Sequence, residues 1–512
     1  MNKIPRILRI IAATIVFVCI TCGFLNISGG NPLSQAMLRT QFTPALVSIF
    51  SGSAAAFIIL IVVTILFGRV YCSFLCPLGI FQDIIIRVSD IIIRVSDIAR
   101  KRANGGRVPK KKYRKPHNTL RYSILAVTGF ITLALGSAYP LALLDPYSNY
   151  GKICTQIFSS VEIAITNGLS GIFPSMFYTQ EYARLSLQSF IFALVFLFII
   201  VLFSAFRGRL YCNSICPVGS FLGVLSGISL FKPQIEKDKC VKCNLCAGNC
   251  KSNCIDLETK EIDITRCVAC YNCLVSCKRG GVKLVPTWFT GKKKKNDDKE
   301  HDSIENKGRR NALIAMGGFA AAAVAGKYLS GRGKSGGALL DEDSQGCIMP
   351  AGAGNLNSFK NSCTACYACI AACPEQIIKP AAFEYGIDGI MLPVLKYDNG
   401  YCRYDCNKCS QTCPNGALTH IALEVKQKTS IAVAQYDASS CVIVTDGVRC
   451  GACSRNCPAG AIQMKENPAV PGQFLPAIDA AKCIGCGACK DVCPGMPKAI
   501  EIKGKRVQTM AI

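Results

Sequence analysis

The sequence predicts an α-helical membrane domain of four spans in two pseudo-symmetric halves, with a candidate fifth span, joined to two small α+β modules. Three observations predict it. Four long apolar runs fill the first 206 residues. The pattern Y-C-x3-C-P occurs twice, at 71–77 and 211–217. Most of the 33 cysteines fall in short, regular runs that begin only at Cys240.

Half of the 512 residues are hydrophobic, and 58 basic residues face 32 acidic ones, a formal net charge of +26. Such a balance suits nucleic acid or a membrane. The apolar runs decide for membrane lipid, and no nucleic-acid partner is expected. The runs are 7–27, 45–67, 122–144 and 187–206, each near the roughly 20 residues a helix needs to cross a bilayer. Lys3, Arg6 and Arg9 place the N-terminus in the cytoplasm. The nine basic residues between 100 and 115 place the loop after the second span there too. The loops at 28–44 and 145–186, poor in Lys and Arg, are expected to face outward.

"FGRVYCSFLCPLGIF" (67–81) matches "FRGRLYCNSICPVGSF" (206–221), so each copy closes one two-span unit at the cytoplasmic face. Repeats of this kind tend to place function at their interface. The heptad "IIIRVSD" at 84–90 recurs at 91–97. Inserting a heptad turns a helix face by only about 20°, which predicts an amphipathic surface helix with Arg87 and Arg94 toward the headgroups.

From Cys240 onward the cysteines follow C-x2-C-x2-C-x3-C, a pattern that binds iron–sulfur clusters. Three thiolates come from one short loop and the fourth from a partner run. Cys240, Cys243, Cys246 and Cys277 form one predicted set; Cys267, Cys270, Cys273 and Cys250 form the other. Cys254 is spare. The C-terminal region carries four runs: Cys363, Cys366, Cys369, Cys373; Cys402, Cys406, Cys409, Cys413; Cys441, Cys450, Cys453, Cys457; and Cys483, Cys486, Cys489, Cys493. These 24 cysteines predict six 4Fe-4S clusters in two bacterial ferredoxin-like modules. Longer first gaps in the second and third C-terminal runs predict bulged loops. The three histidines lie outside the apolar runs and no C-x-x-C-H occurs, which argues against haem.

Cys72 and Cys76, like Cys212 and Cys216, stand four apart, which puts both thiols on one helix face before a proline. Pseudo-symmetry brings the four together as candidate catalytic residues. They would bind a metal or further cluster, or cycle as dithiols; the plain alternative is small buried residues at helix ends. Cys19, Cys22, Cys154 and Cys347 carry no such pattern. "GRGKSG" (331–336) follows no predicted strand and opens no helix, so no nucleotide site is expected.

The first 290 residues resemble the NapH family, the membrane quinol dehydrogenase component of periplasmic nitrate reductase systems. The paired Y-C-x3-C-P motifs and the ferredoxin module at 240–277 carry the resemblance. Related membrane ferredoxins serve methylamine dehydrogenase and cytochrome oxidase maturation. Residues 305–512 resemble the exported NapG family. Arg309 and Arg310 match its twin-arginine signal, though Ala312 replaces a usual Phe. "MPAGA" (349–353) matches its Pro-Pro-Gly-Ala segment, with Ala351 for a proline. By analogy with four-cluster ferredoxins, the resemblance implies that runs one and four exchange their last cysteines, as do runs two and three.

The expected domains are a membrane domain (1–231), a cytoplasmic two-cluster module (232–290), a charged linker (291–310), a twin-arginine-type signal or fifth helix (311–330) and an extracytoplasmic four-cluster domain (346–512). The resemblance implies a bacterial inner-membrane protein that oxidises menaquinol or another quinol and feeds an extracytoplasmic reductase or electron carrier. Two other functions fit: a redox assembly factor for another metalloenzyme, and a conduit from cytoplasmic ferredoxin. The modules are expected on opposite sides of the membrane. Only the four motif cysteines or a bound quinone stand between them.

Overall fold

The computed structural model describes residues 4–26, 32–49, 53–104, 113, 115–135, 138–176, 179, 186–286, 346–398 and 400–511. The expected charged linker, Arg309, Arg310, the candidate fifth span and "GRGKSG" lie outside these residues.

Two helices, α1 (Ile4–Leu25) and α11 (Leu187–Arg207), are long and apolar enough to cross a membrane, and among the described residues only these two. This corrects the expectation of four. The second run is interrupted: α3 (Phe42–Val47) ends in a turn where the Ser48 hydroxyl binds the Ser53 carbonyl, and α4 (Ala55–Phe67) has only 13 residues. The third run divides into α7 (Asn118–Leu135) and α8 (Tyr139–Leu144), whose first turn holds Pro140.

The segment expected as an outward loop, 145–186, is largely helical. Between α3 and α7, α5 is Tyr71–Phe74 and α6 is Pro77–Asn104; α9 (Pro146–Ile153) runs through a π-turn at Cys154–Phe158 into α10 (Ser159–Ile172). Every residue of α9 is buried. Asp145 caps it, accepting from the Ser148 backbone N–H at 2.7 Å and the Thr43 hydroxyl at 2.5 Å. Those bonds satisfy the polar groups that burial would otherwise penalise. Both IIIRVSD copies lie in the single helix α6, where Arg87 is exposed and the Arg94 side chain lies outside those described.

In the first cysteine-dense module, β1 (Phe231–Ile235) pairs antiparallel with β4 (Val282–Pro286) around the hairpin β2 (Ile255–Asp256) and β3 (Glu261–Ile262). The C-terminal region holds three antiparallel pairs: β5 (Ile378–Pro380) with β6 (Pro393–Leu395), β7 (Thr429–Tyr436) with β10 (Ile500–Met510), and β8 (Ile462–Glu466) with β9 (Phe474–Ile478). The β7–β10 pair encloses β8–β9 as β1–β4 encloses β2–β3. The 429–510 segment therefore repeats the plan of the first module.

The two modules touch opposite ends of α11. At its start the Ser189 hydroxyl hydrogen-bonds the Tyr367 hydroxyl at 2.8 Å. At its end the Asn253 amide donates to the Arg207 carbonyl at 3.3 Å. Eighteen residues separate these contacts, about 27 Å along a helix. Near the early end of α1, Arg9 pairs with Asp83 of α6, which also holds Lys251 of the first module, and Phe24 near the other end shares a core with Cys366 and Ala368 of the C-terminal region.

Candidate metal centres

In the first module, Cys240, Cys243, Cys246 and Cys277 line one cavity. Cys250, Cys267, Cys270 and Cys273 line a second, which Cys254 also lines. Both sets are those the spacing predicts. In the C-terminal region the partners differ from the expectation. Cys363, Cys366 and Cys369 share a cavity with Cys413, and Cys483, Cys486 and Cys489 share one with Cys457. Cys373 lies with Cys402, Cys406 and Cys409; Cys493 lies with Cys441 and Cys450, beside Cys453. Run one thus exchanges with run two, and run three with run four. The arrangement follows the strand pairing: β7 and β10 enclose runs three and four in one unit, and runs one and two precede β7.

The backbone suits clusters. In four runs the residues either side of the second cysteine have left-handed conformations: Lys242 and Asn244, Ala269 and Tyr271, Ala365 and Tyr367, Gly485 and Gly487. Such turns aim successive N–H groups into a concavity that favours anions. Backbone N–H groups also reach the thiols: Gly281 to Cys277 at 3.2 Å, Leu418 to Cys413 at 3.3 Å and Ala461 to Cys457 at 3.3 Å. Run two departs from the pattern, with Asn407 at φ −130° after its wider first gap. Among the described residues no three His, Cys, Asp or Glu side chains converge on a single-ion site. A cluster's thiolates bind four different irons and stand farther apart than ligands of one ion, so all-cysteine groups around open cavities fit that cofactor.

Cys72, Cys76, Cys212 and Cys216 all lie in one buried apolar core. Burial pushes the Cys76 and Cys216 thiols up, and the neighbouring Cys212 adds to both. The local geometry differs from one continuous helix face. The helix α12 (Leu210–Ser214), like α5, stops before the second cysteine, and Pro217 opens α13 (Pro217–Ser226) with Cys216 as its N-cap. Proline starts the next helix here, with its missing N–H where no bond is needed. The Gly79 and Gly219 amides donate to Cys76 at 3.4 Å and Cys216 at 3.3 Å. A Cβ at either glycine would run into the carbonyl oxygen of Cys72 or Cys212. The two halves therefore match in hydrogen bonding as well as in sequence.

Arginines cross between the halves. Arg209 donates to the Cys72 carbonyl at 2.5 Å, and Arg69 donates to the Gly219 carbonyl at 2.8 Å and Asn213 at 2.6 Å. Both are fully buried. Arg209 is balanced by Asp83, which also receives Arg9 at 2.9 Å and Lys251 at 2.6 Å. Burial pushes the Asp83 carboxyl up, but Arg209, Lys251 and Arg9 outweigh it and hold it at about 2. The second half has Gly223 at the position of Asp83, and the Arg121 guanidinium fills the space over it. Arg69 and Arg209 stand at matching positions of the two repeat copies, but the repeat by itself gives them no role. Nothing local marked Asp83.

The same core contains Cys270 of the first module and Cys366 of the C-terminal region. The first module joins it where Arg69 reaches the Cys267 carbonyl at 3.4 Å and the Lys251 carbonyl accepts from the Arg209 backbone at 3.0 Å. The C-terminal region joins it at α9. A Cβ on Gly151 would overlap the Cys366 carbonyl oxygen, and the Tyr147 hydroxyl meets the Cys366 thiol. Lys152, 1 % exposed, lies over the Phe192 ring at 5.0 Å, close to Cys366 and Cys363. Farther on, Cys369 neighbours Cys409, and Tyr397 stands between Cys402 and Cys486. The thiol groups are thus neighbours in series, from the core that holds the four motif cysteines, Cys270 and Cys366 to Cys409, Cys402 and Cys486, while Cys243 in the first module is exposed. Cys154 is buried beside Tyr150, Cys347 donates to the Glu384 carbonyl at 2.6 Å, and Cys19 and Cys22 are half-buried.

A family model described as a 4Fe-4S binding domain matches residues 50–96 and again 189–236, the two segments that hold the Y-C-x3-C-P motifs. One described as a 4Fe-4S dicluster domain matches 448–495, inside the unit closed by β7 and β10. The ferredoxin-type protein NapG of Escherichia coli (strain K12) is 27% identical over 199 residues, 38% of this chain and 82% of the relative. The ferredoxin-type protein NapF of the same organism is 29% identical over 147 residues, 29% of this chain and 80% of the relative. The methylamine utilization ferredoxin-type protein MauM of Methylophilus methylotrophus is 30% identical over 160 residues, 30% of this chain and 70% of the relative. No solved structure matches. On these grounds the chain belongs to the ferredoxin-type proteins typified by MauM, and it carries 4Fe-4S binding domains.

Proposed function

We propose that the chain is a membrane-bound electron-transfer protein. It oxidises menaquinol or another quinol and passes electrons through six 4Fe-4S clusters to an extracytoplasmic reductase or electron carrier. The observation that carries this reading is the placement of the two modules at opposite ends of α11, with the motif cysteines in a core that also holds Cys270 of one module and Cys366 of the other. Both long helices present apolar outer faces, including Phe198 and Phe206 on α11 and Ile7, Leu8 and Ile11 on α1. Such faces suit lipid. The membrane half is then NapH-like, and Arg309 and Arg310 direct export of the C-terminal domain.

The clusters, when bound, supply one-electron steps that quinol chemistry alone lacks. The 24 run cysteines hold them in the six groups described above. Cys72, Cys76, Cys212 and Cys216 hold a further cluster at the repeat interface. Arg69 and Arg209 offset the negative charge that four thiolates would bring into this buried core. Lys152 does the same beside Cys363 and Cys366.

The test uses anaerobically purified full-length protein in detergent. A menaquinol analogue is added and visible bleaching followed, with dithionite defining full reduction. Partial or full bleaching is expected; none, in protein that dithionite still reduces, would overturn quinol oxidation. A specific observation favours a second donor. Cys243 is exposed, and its cavity is lined by Lys239, Lys278 and Arg279. That basic rim suits an acidic soluble ferredoxin. Rapid bleaching by reduced ferredoxin, without bleaching by quinol, would select that direction.

A further inference from the structure

Five thiols, one more than a cluster needs, line the inner cavity of the first module. The fifth, Cys254, is 2 % exposed and is neither in the ligand spacing nor in the motif pairs. Its sulfur lies 3.6 Å from that of Cys250, within hydrogen-bond reach, and the Cys267 thiol is a neighbour. Both neighbours are assigned ligands of the same cluster. Its backbone is pinned, because the Cys254 carbonyl accepts from the Asp263 N–H at 2.9 Å at the β2–β3 hairpin. The thiol is therefore held over one edge of the ligand set.

We propose that the Cys254 S–H donates a hydrogen bond to the Cys250 sulfur, which makes Cys254 a positioning residue that raises the reduction potential of this cluster. This rests on the assignment of Cys250, Cys267, Cys270 and Cys273 as cluster ligands. A thiol is an S–H donor. Hydrogen bonds to cluster sulfurs set potential because reduction adds negative charge to the cluster, and a donor favours the more negative state. The inner cluster is the one whose Cys270 enters the motif-cysteine core, so its potential governs exchange between the first module and the rest of the chain.

The experiment is an anaerobic redox titration of full-length protein in detergent, followed by electron paramagnetic resonance, with iron and sulfide counted per chain. Wild type, Cys254→Ala, Cys254→Ser and Cys267→Ala are compared. The signal lost in Cys267→Ala identifies the inner cluster. That same signal is expected to move to lower potential in Cys254→Ala and to stay near wild type in Cys254→Ser, whose hydroxyl keeps a donor. Iron content is expected to be unchanged in both Cys254 variants. An unshifted signal in Cys254→Ala would overturn the proposal. So would equal shifts in both variants, which would report packing, or loss of one cluster's iron in both, which would make Cys254 a ligand. Full iron in Cys267→Ala would instead sink the ligand assignment beneath it.

Discussion

The fourth cysteine of each C-terminal group is where residue-level geometry has the sharpest consequence. Cys363 and Cys413 serve one cavity, so Cys363→Ala/Cys413→Ala should lose the iron of one cluster. Cys363→Ala/Cys493→Ala should lose that of two, since Cys493 belongs with Cys441 and Cys450. Iron and sulfide counts on purified protein check this, and the reverse order would restore the exchange first expected. The cysteine groups were legible because three of each four lie on one short loop. The exchange was not, because it depends on which strands pair around the runs. Asp83 was illegible for a related reason: its partners Arg9 and Arg209 are 74 and 126 residues away. Asp83→Asn should leave three basic groups short of their carboxylate and cost about 3–5 kcal/mol. Since the folded carboxyl titrates near 2, below an unfolded value of about 3.9, its stabilisation is complete above about pH 4. It is lost as pH falls through 2. The gap in thermal midpoint between wild type and Asp83→Asn should therefore be wide at pH 7 and narrow between pH 4 and pH 2.

Among the elements, α9 joins the two halves of the chain. Its Gly151 allows the backbone at Cys366 to approach closely. Gly151→Val should push the C-terminal domain away from the core while leaving every cysteine group intact. Iron content should be unchanged, and reduction of the C-terminal clusters after that of the first module should slow by at least tenfold in stopped-flow spectra. Lys152→Met tests the neighbouring charge: a similar volume without the cation should lower the potential of the cluster at Cys363 and Cys366, read by redox titration. Polar residues hid this element in the sequence. "DPYSNYGKIC" reads as an aqueous loop, but Asp145, Ser148 and Asn149 spend their polar groups on one another, Thr43 and the Leu143 carbonyl. The paired Cys-x3-Cys-Pro motifs were visible because a repeat is a pattern along the chain. That their prolines open helices was not, since a proline reads equally as a break or a start.

At the scale of the whole molecule, two modules expected on opposite sides of a membrane lacked a visible connection. The connection is one buried core that Cys72, Cys76, Cys212 and Cys216 share with Cys270 and Cys366. Sequence spacing located each thiol group, whereas their order in space required the docking contacts of α9, α11 and the crossing arginines. The most direct measurement compares wild type with Cys72→Ser/Cys212→Ser, both with the six run-cysteine groups loaded, during rapid mixing with a menaquinol analogue. Electron paramagnetic resonance of freeze-quenched samples would identify which clusters are reduced. The account predicts reduction in both modules of wild type and in at most one module of the variant. Reduction of both modules in the variant at the wild-type rate would contradict it.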